Sequence, residues 1–218
     1  MTTIPSIVTQ TYPSGARGLF HLVFIALTGC AQPGVSVQPA VYDFGPGDLR
    51  TAPLTHAARP TPQTLILVTE VDATPALDST AVLYRLAYAD VQQLKAYAQA
   101  RWSMTPAQLI QQRLSDHLGQ RHTLLQTGNG QQPLVTLHLA LEEFSQLFET
   151  PQQSSGLLRL RATVTQTRPG GAQQVHQHSI TVQRPAPGND ASGGVRALAD
   201  ATEAALQALD AWLKELAL

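Results

Sequence analysis

A thiol, two spaced imidazoles and a pair of adjacent carboxylates are the side chains of this 218-residue sequence whose placement could carry chemistry. The thiol is Cys30, the single cysteine, and it closes an apolar run from Leu19 to Gly29 that follows a lone basic residue, Arg17. The run has eleven residues. A secretory core needs about 7–15 apolar residues and a membrane-spanning helix roughly 20, so the segment fits export and is too short to span. Its last four residues, Leu27-Thr28-Gly29-Cys30, have the form of a lipobox, in which a small residue precedes a cysteine that becomes both the new N-terminus and the point of lipid attachment. Cleavage is therefore expected between Gly29 and Cys30, leaving 189 of the 218 residues held by a lipid on Cys30. The competing reading, an N-terminal core helix with an ordinary cysteine, does not explain why Gln32-Pro33-Gly34 follows at once.

The remaining chemistry is sparse. His176-x-His178 places two imidazoles on one face of a strand, a spacing that metal sites use, but no carboxylate or third histidine lies near in sequence. Ile180 and Val182 share that face, which favours a position at the rim of a sheet over a metal ligand. Glu142 and Glu143 are adjacent, and on a regular strand they point to opposite sides, so they make no catalytic pair. The sequence has no Gly-x-Ser-x-Gly elbow, no Gly-rich phosphate loop and no His-Glu-x-x-His. No catalytic residue, metal ligand or cofactor is assigned. A protein contact is the better use for Arg101: arginine is favoured at interfaces, and period-two alternation puts it with Lys95 and Tyr97, opposite Leu94, Ala96, Ala98, Ala100 and Trp102. Trp102 then belongs to the core.

Composition limits the partners. Net charge is −1, charged residues are 13% of the chain, about half the usual quarter, and Lys95 and Lys214 are the only lysines. A nucleic acid needs a basic footprint, which this chain lacks. One cysteine allows no internal disulfide, so export is inferred from the leader alone. Beyond Gly29 no window reaches the length of a transmembrane helix, which leaves the lipid as the only membrane attachment.

The elements that position these residues follow from hydrophobic periodicity. Ala31 to about Ala40 reads as a tether broken by Pro33, Gly34 and Pro39, and Val41 to Phe44 as a brief strand stopped by Gly45-Pro46-Gly47. Strands are expected at 65–71, 82–88, 94–102, 122–126, 134–141, 157–166 and 175–183, with a turn at Thr127-Gly128-Asn129-Gly130 and a hairpin through Arg168-Pro169-Gly170-Gly171. Residues 142–148 either continue a strand or turn helical; the pattern leaves both open. Thr105-Pro106-Ala107-Gln108 opens a helix to about Leu118 with a hydroxyl cap, a first-position proline and a capping-box glutamine. A second helix over 192–216 carries Val195, Leu198, Thr202, Ala205, Leu206, Leu209, Leu213 and Leu216 at three- and four-residue steps. Strands grouped around one central helix, with another closing the chain, predict an α+β fold: a single-domain sandwich with two helices on an antiparallel sheet. The expected divisions are a signal peptide over 1–29, a lipidated tether over 30–41 and a folded domain over 42–218.

The lipobox at Cys30, Tyr42-Asp43-Phe44-Gly45-Pro46, Tyr84-Arg85-Leu86, Tyr97-x-x-x-Arg101-Trp102 ahead of Pro106, and the closing Trp212-Leu213 occur together and in order. On these pieces the chain resembles the ABC-type transport auxiliary lipoprotein family. The resemblance implies a role without turnover, beside an ABC transporter and a membrane-anchored MCE-domain protein that moves lipids between two membranes. It also leaves room for a homo-oligomer, since ring formation on an MCE tube is compatible with it. Ala31 stands where an aspartate would signal inner-membrane retention in enterobacteria, so the periplasmic face of the outer membrane is the expected location. Two rival readings are a lipoprotein that assists outer-membrane assembly and, ranked last, a periplasmic enzyme.

Overall fold

The computed structural model describes residues 38–46, 65–119, 123–125, 135–168 and 170–218, all within one compact unit, Val37–Leu218. Cys30, the apolar run before it and the 127–130 turn lie outside the described residues.

Eleven elements follow in order: β1 (Ala40–Tyr42), β2 (Leu65–Val68), β3 (Asp72–Ala73), β4 (Ala81–Leu86), β5 (Asp90–Trp102), α1 (Pro106–Gly119), β6 (Thr123–Leu125), β7 (Val135–Thr150), β8 (Gln153–Thr167), β9 (Gln173–Pro185) and α2 (Ala191–Glu215). The nine strands form one sheet whose spine is β7. Residues 142–148 continue that strand. Along one side of β7 runs β8, antiparallel, with β9 antiparallel beyond it. The other side is shared by β2, β3 and β4, all parallel to β7. Antiparallel β5 then adds to β4, while β1 and β6 join β5 and β2 in parallel.

The fold is therefore α+β with two helices on a sheet, but the sheet is mixed, which corrects the antiparallel expectation. A parallel pair needs a long crossover, and α1 supplies it: the chain leaves the sheet after β5 and returns to lay β6 parallel to β2. Grouping strands by chain order hides such a return.

Local sequence explains the elements. Thr105 and Gln108 cap α1 reciprocally: the Gln108 backbone N–H donates to Thr105 Oγ1 at 3.4 Å, and the Thr105 N–H donates to Gln108 Oε1 at 3.1 Å. At α2 the cap is Asp190, whose carboxylate accepts from the Gly193 N–H at 2.7 Å and from the Ser192 hydroxyl. The core joins Leu109, Ile110, Leu114 and Leu118 of α1 to Val195, Leu198, Ala201, Leu206, Leu209 and Leu213 of α2 and to the inward alternation Leu158, Leu160, Ala162, Val164 of β8. Arg113 clamps the helices together, reaching Glu203 at 3.0 Å and donating to the Phe44 and Gly45 carbonyls. Gly156 on β8 lets α2 lie against the sheet, because a Cβ there would stand 2.6 Å from the Ala197 carbonyl carbon. The outward alternation of β8 and β9 is polar: Gln177 donates to Thr163 across the strands, and Arg161 pairs with Glu142 of β7. An open antiparallel face of that kind accounts for a composition rich in Thr, Ser and Gln.

Candidate partner surface

Lys95, Tyr97 and Arg101 all lie on β5, but that strand does not keep one alternation. Its pairing with β4 runs Arg85↔Leu94, Tyr84↔Lys95 and Leu83↔Ala96, then jumps to Ala81↔Arg101. Two steps along β4 match five along β5, so three extra residues bulge out between Ala96 and Arg101. An odd slip exchanges the faces. Ala96 and Ala98 are exposed, and Tyr97 faces inward together with Ala100 and Trp102. The regular two-residue reading from Leu94 to Trp102 fails at this bulge.

Tyr97 is the inward end of a polar chain. Its ring packs on Tyr84 at 4.6 Å, and its hydroxyl donates to Gln146 Oε1 at 2.8 Å. Gln146, fully buried, donates onward to Ser154 Oγ at 2.8 Å, and Ser154 donates to Asn189 Oδ1 at 3.0 Å. Asn189 closes the chain on the Gln152 carbonyl at 2.6 Å, next to the Asp190 cap of α2. Burial, with Tyr84 and the Asp190 carboxylate adding to it, pushes the Tyr97 phenol up to about 12. Asp190 itself is held below the usual carboxylate range by its bonds from Gly193 and Ser192. The arrangement fixes a helix start to a sheet edge, and Tyr97 serves it as a structural donor.

Arg101 stands apart. It is exposed, next to Val41 of β1, which is 53% exposed. Lys95 is half-buried opposite Tyr84. The structure thus brings Lys95 and Tyr97 together on the inner side and leaves Arg101 as the one of the three that meets solvent on the outer side. Trp102 is 1% exposed, edge-on to Phe44 at 5.6 Å and tilted against Phe144 at the same separation.

The two carboxylates are splayed by a second bulge, between Leu141 and Glu143. Glu142 pairs with Arg161 of β8, and Glu143 pairs with Arg85 of β4 at 3.1 Å, so each has its own guanidinium on a different neighbouring strand. His178 stacks on Trp212 of α2 at 5.2 Å and 18°, a packing role at the rim. Among the described residues no group of three or more His, Cys, Asp or Glu could hold a metal ion. Sequence reasoning missed Arg113 and Gln146. For Gln146 a signal existed: a long polar residue two positions from Phe144 and two from Phe148, on a face otherwise apolar.

This geometry is that of a hydrogen-bonded scaffold with Arg101 exposed beside its outermost strand, β1. The family model described as the ABC-type transport auxiliary lipoprotein component matches residues 48–209. The chain is similar in fold to the crystal structure of protein XCC0632 from Xanthomonas campestris, at 16% identity over 72% of this chain and 86% of that one, with a TM-score of 0.59. It is also similar to an uncharacterized protein of known structure, at 13% identity over 82% of this chain and 99% of that one, with a TM-score of 0.55. No curated protein matches it. The matching description is of a transport accessory and not of an enzyme. With three quarters of its length covered by that model, from residue 48 to residue 209, the chain belongs to the ABC-type transport auxiliary lipoprotein family.

Proposed function

We propose that this chain is exported, cleaved between Gly29 and Cys30, and held by lipid on Cys30 at the periplasmic face of the outer membrane, where it is the accessory subunit of an ABC/MCE-type intermembrane lipid transport system. Residues 1–29 are the signal peptide, 30–41 the tether, whose last two residues, Ala40 and Val41, already pair in β1, and 42–218 the domain that meets the partner. Its task is to bind the MCE-domain protein, and Arg101 of β5, exposed beside Val41 of the outermost strand β1, marks the contact, while Lys95 and Tyr97 lie inward on the same strand. The observation that carries the reading is the family match over residues 48–209, because members are defined as auxiliary to ABC-type transport. The exposed Arg101 fits a contact: a guanidinium in solvent next to an apolar Val41 offers both charge and area.

The test is recovery of partners from envelopes after mild cross-linking, with the lipidated full chain as bait. The wild type is expected to bring down MCE-domain and ABC-transporter components, and Arg101→Glu to lose most of that recovery while remaining folded. Equal recovery by Arg101→Glu removes the contact assignment. Absence of such components from the wild-type catch removes the functional reading.

A further inference from the structure

The turn between β4 and β5 and the start of β5 carry two large apolar side chains in solvent: Tyr88 is 49% exposed and Val91 is 52% exposed. The turn itself is well made, with the Ala89 N–H on the Leu86 carbonyl and the Ala87 N–H on the Phe148 carbonyl. Arg85 grips its return limb by donating to the Val91 and Gln92 carbonyls, both at 3.2 Å. The turn thus displays an aromatic and an aliphatic side chain on a hydrogen-bonded frame.

The strand registers show what lies at that end of the sheet. Leu86 pairs with Phe148, so the turn sits beside the β7–β8 hairpin at Thr150 and Gln153. Pro185 pairs with Ser155, which brings the loop into α2 to the same end. β1 is parallel to β5, and β5 runs away from the turn, so the chain enters β1 at Ala40 from the side of the turn. Ala40 lies level with the start of β4, whose five steps to Leu86 span about 17 Å. Ten residue steps separate Cys30 from Ala40 and reach at most about 33–36 Å, enough to carry an anchor beyond the turn.

We propose that Tyr88 and Val91 enter the interface of the same lipid surface that holds the Cys30 anchor. The inference rests on the lipid anchor proposed above. Two side chains would be a weak membrane ligand alone, but tethering makes their insertion intramolecular, so a small gain is enough to orient the domain. Tyrosine suits the interface, with its ring among acyl chains and its hydroxyl among headgroups. The guanidinium of Arg85 is already held by two carbonyls and Glu143, so attraction to anionic lipid is not the drive, and a zwitterionic surface serves. The orientation sets the opposite end, where Val175 pairs with Thr165, away from the membrane.

The test uses the lipidated full chain on phosphatidylcholine vesicles with brominated acyl chains, comparing Tyr88→Trp with Val175→Trp. Val175 is 57% exposed, so both variants place an indole in solvent in the free protein. Emission from Trp102 and Trp212 is subtracted with the parent protein. On vesicles, Tyr88→Trp should emit to the blue and lose several-fold more intensity to the bromolipid than Val175→Trp. If the protein floats with the vesicles and the two variants are quenched alike, the turn contact is wrong and the anchor stands. If the protein does not float at all, the anchor is wrong and the contact falls with it.

Discussion

Tyr97 shows at the residue scale how a side chain chosen as a partner contact becomes part of the architecture. Its phenol is pushed up to about 12 by burial, Tyr84 and Asp190, while the unfolded chain ionises it near 10. A group with a raised folded pKa contributes stability that is fully present below the unfolded value and is lost as pH rises through the folded one. Stability should therefore fall between pH 10 and pH 12, and Tyr97→Phe, which has no phenol to ionise, should show a shallower fall in urea unfolding across that window. At neutral pH the same variant should cost about 1 kcal/mol, the price of one hydrogen bond to Gln146. Parallel pH profiles for the two proteins would show that Tyr97 is not the group responsible. The sequence made Lys95, Tyr97 and Arg101 legible as neighbours on one strand, and the exposure of Arg101 with it. It could not show that three bulged residues turn Tyr97 inward, because period two carries no signal for a slip whose cause is the pairing partner, β4.

Elements were legible where one period persists. The regularity of the Leu158 to Val164 and Val195 to Leu213 patterns fixes β8 and α2 to within a few residues, since each buries one face against the other. What the pattern lacks is the path between elements: β7 reads the same whether β4 lies parallel or antiparallel to it, so the mixed sheet emerges only when α1 is seen to carry the chain across. Bulges at Leu141/Glu143 and Ala81/Leu83 are likewise set by tertiary pairing. The contact between α2 and the sheet gives a prediction at this scale. At Gly156 a Cβ would stand 2.6 Å from the Ala197 carbonyl carbon and 2.7 Å from the Leu198 nitrogen, both backbone atoms that no rotamer can clear. Gly156→Ala must push α2 off β8, and overpacking of this kind costs about 1–3 kcal/mol. A lower urea midpoint with an unchanged slope is the expected result. A midpoint at or above that of the wild type, as strand propensity alone would give, shows that the helix does not rest on that strand.

At the scale of the whole molecule the question is what holds the chain to an envelope. Charge does not offer an answer: the net value is −1, and the two lysines, Lys95 and Lys214, lie far apart in the sequence. No helix among the described residues is long and apolar enough to cross a membrane. The exposed turn at Tyr88 and Val91 is small, and two such side chains bind a surface only when something else keeps them near it. The reading proposed above gives that attachment to the lipid on Cys30. A single acyl chain gives marginal binding, whereas two or more, at about 0.8 kcal/mol per buried methylene, hold a domain of this size for long periods. Growth with labelled palmitate should mark the wild type, and the mature chain should begin at Cys30. Cys30→Ala should take no label and keep its 29-residue leader, because the peptidase that cuts a lipobox acts on the lipidated cysteine. Label in Cys30→Ala, or a mature N-terminus at another residue, would mean that the Leu27-Thr28-Gly29-Cys30 sequence is coincidental, and the domain would then need a protein partner to reach the membrane at all.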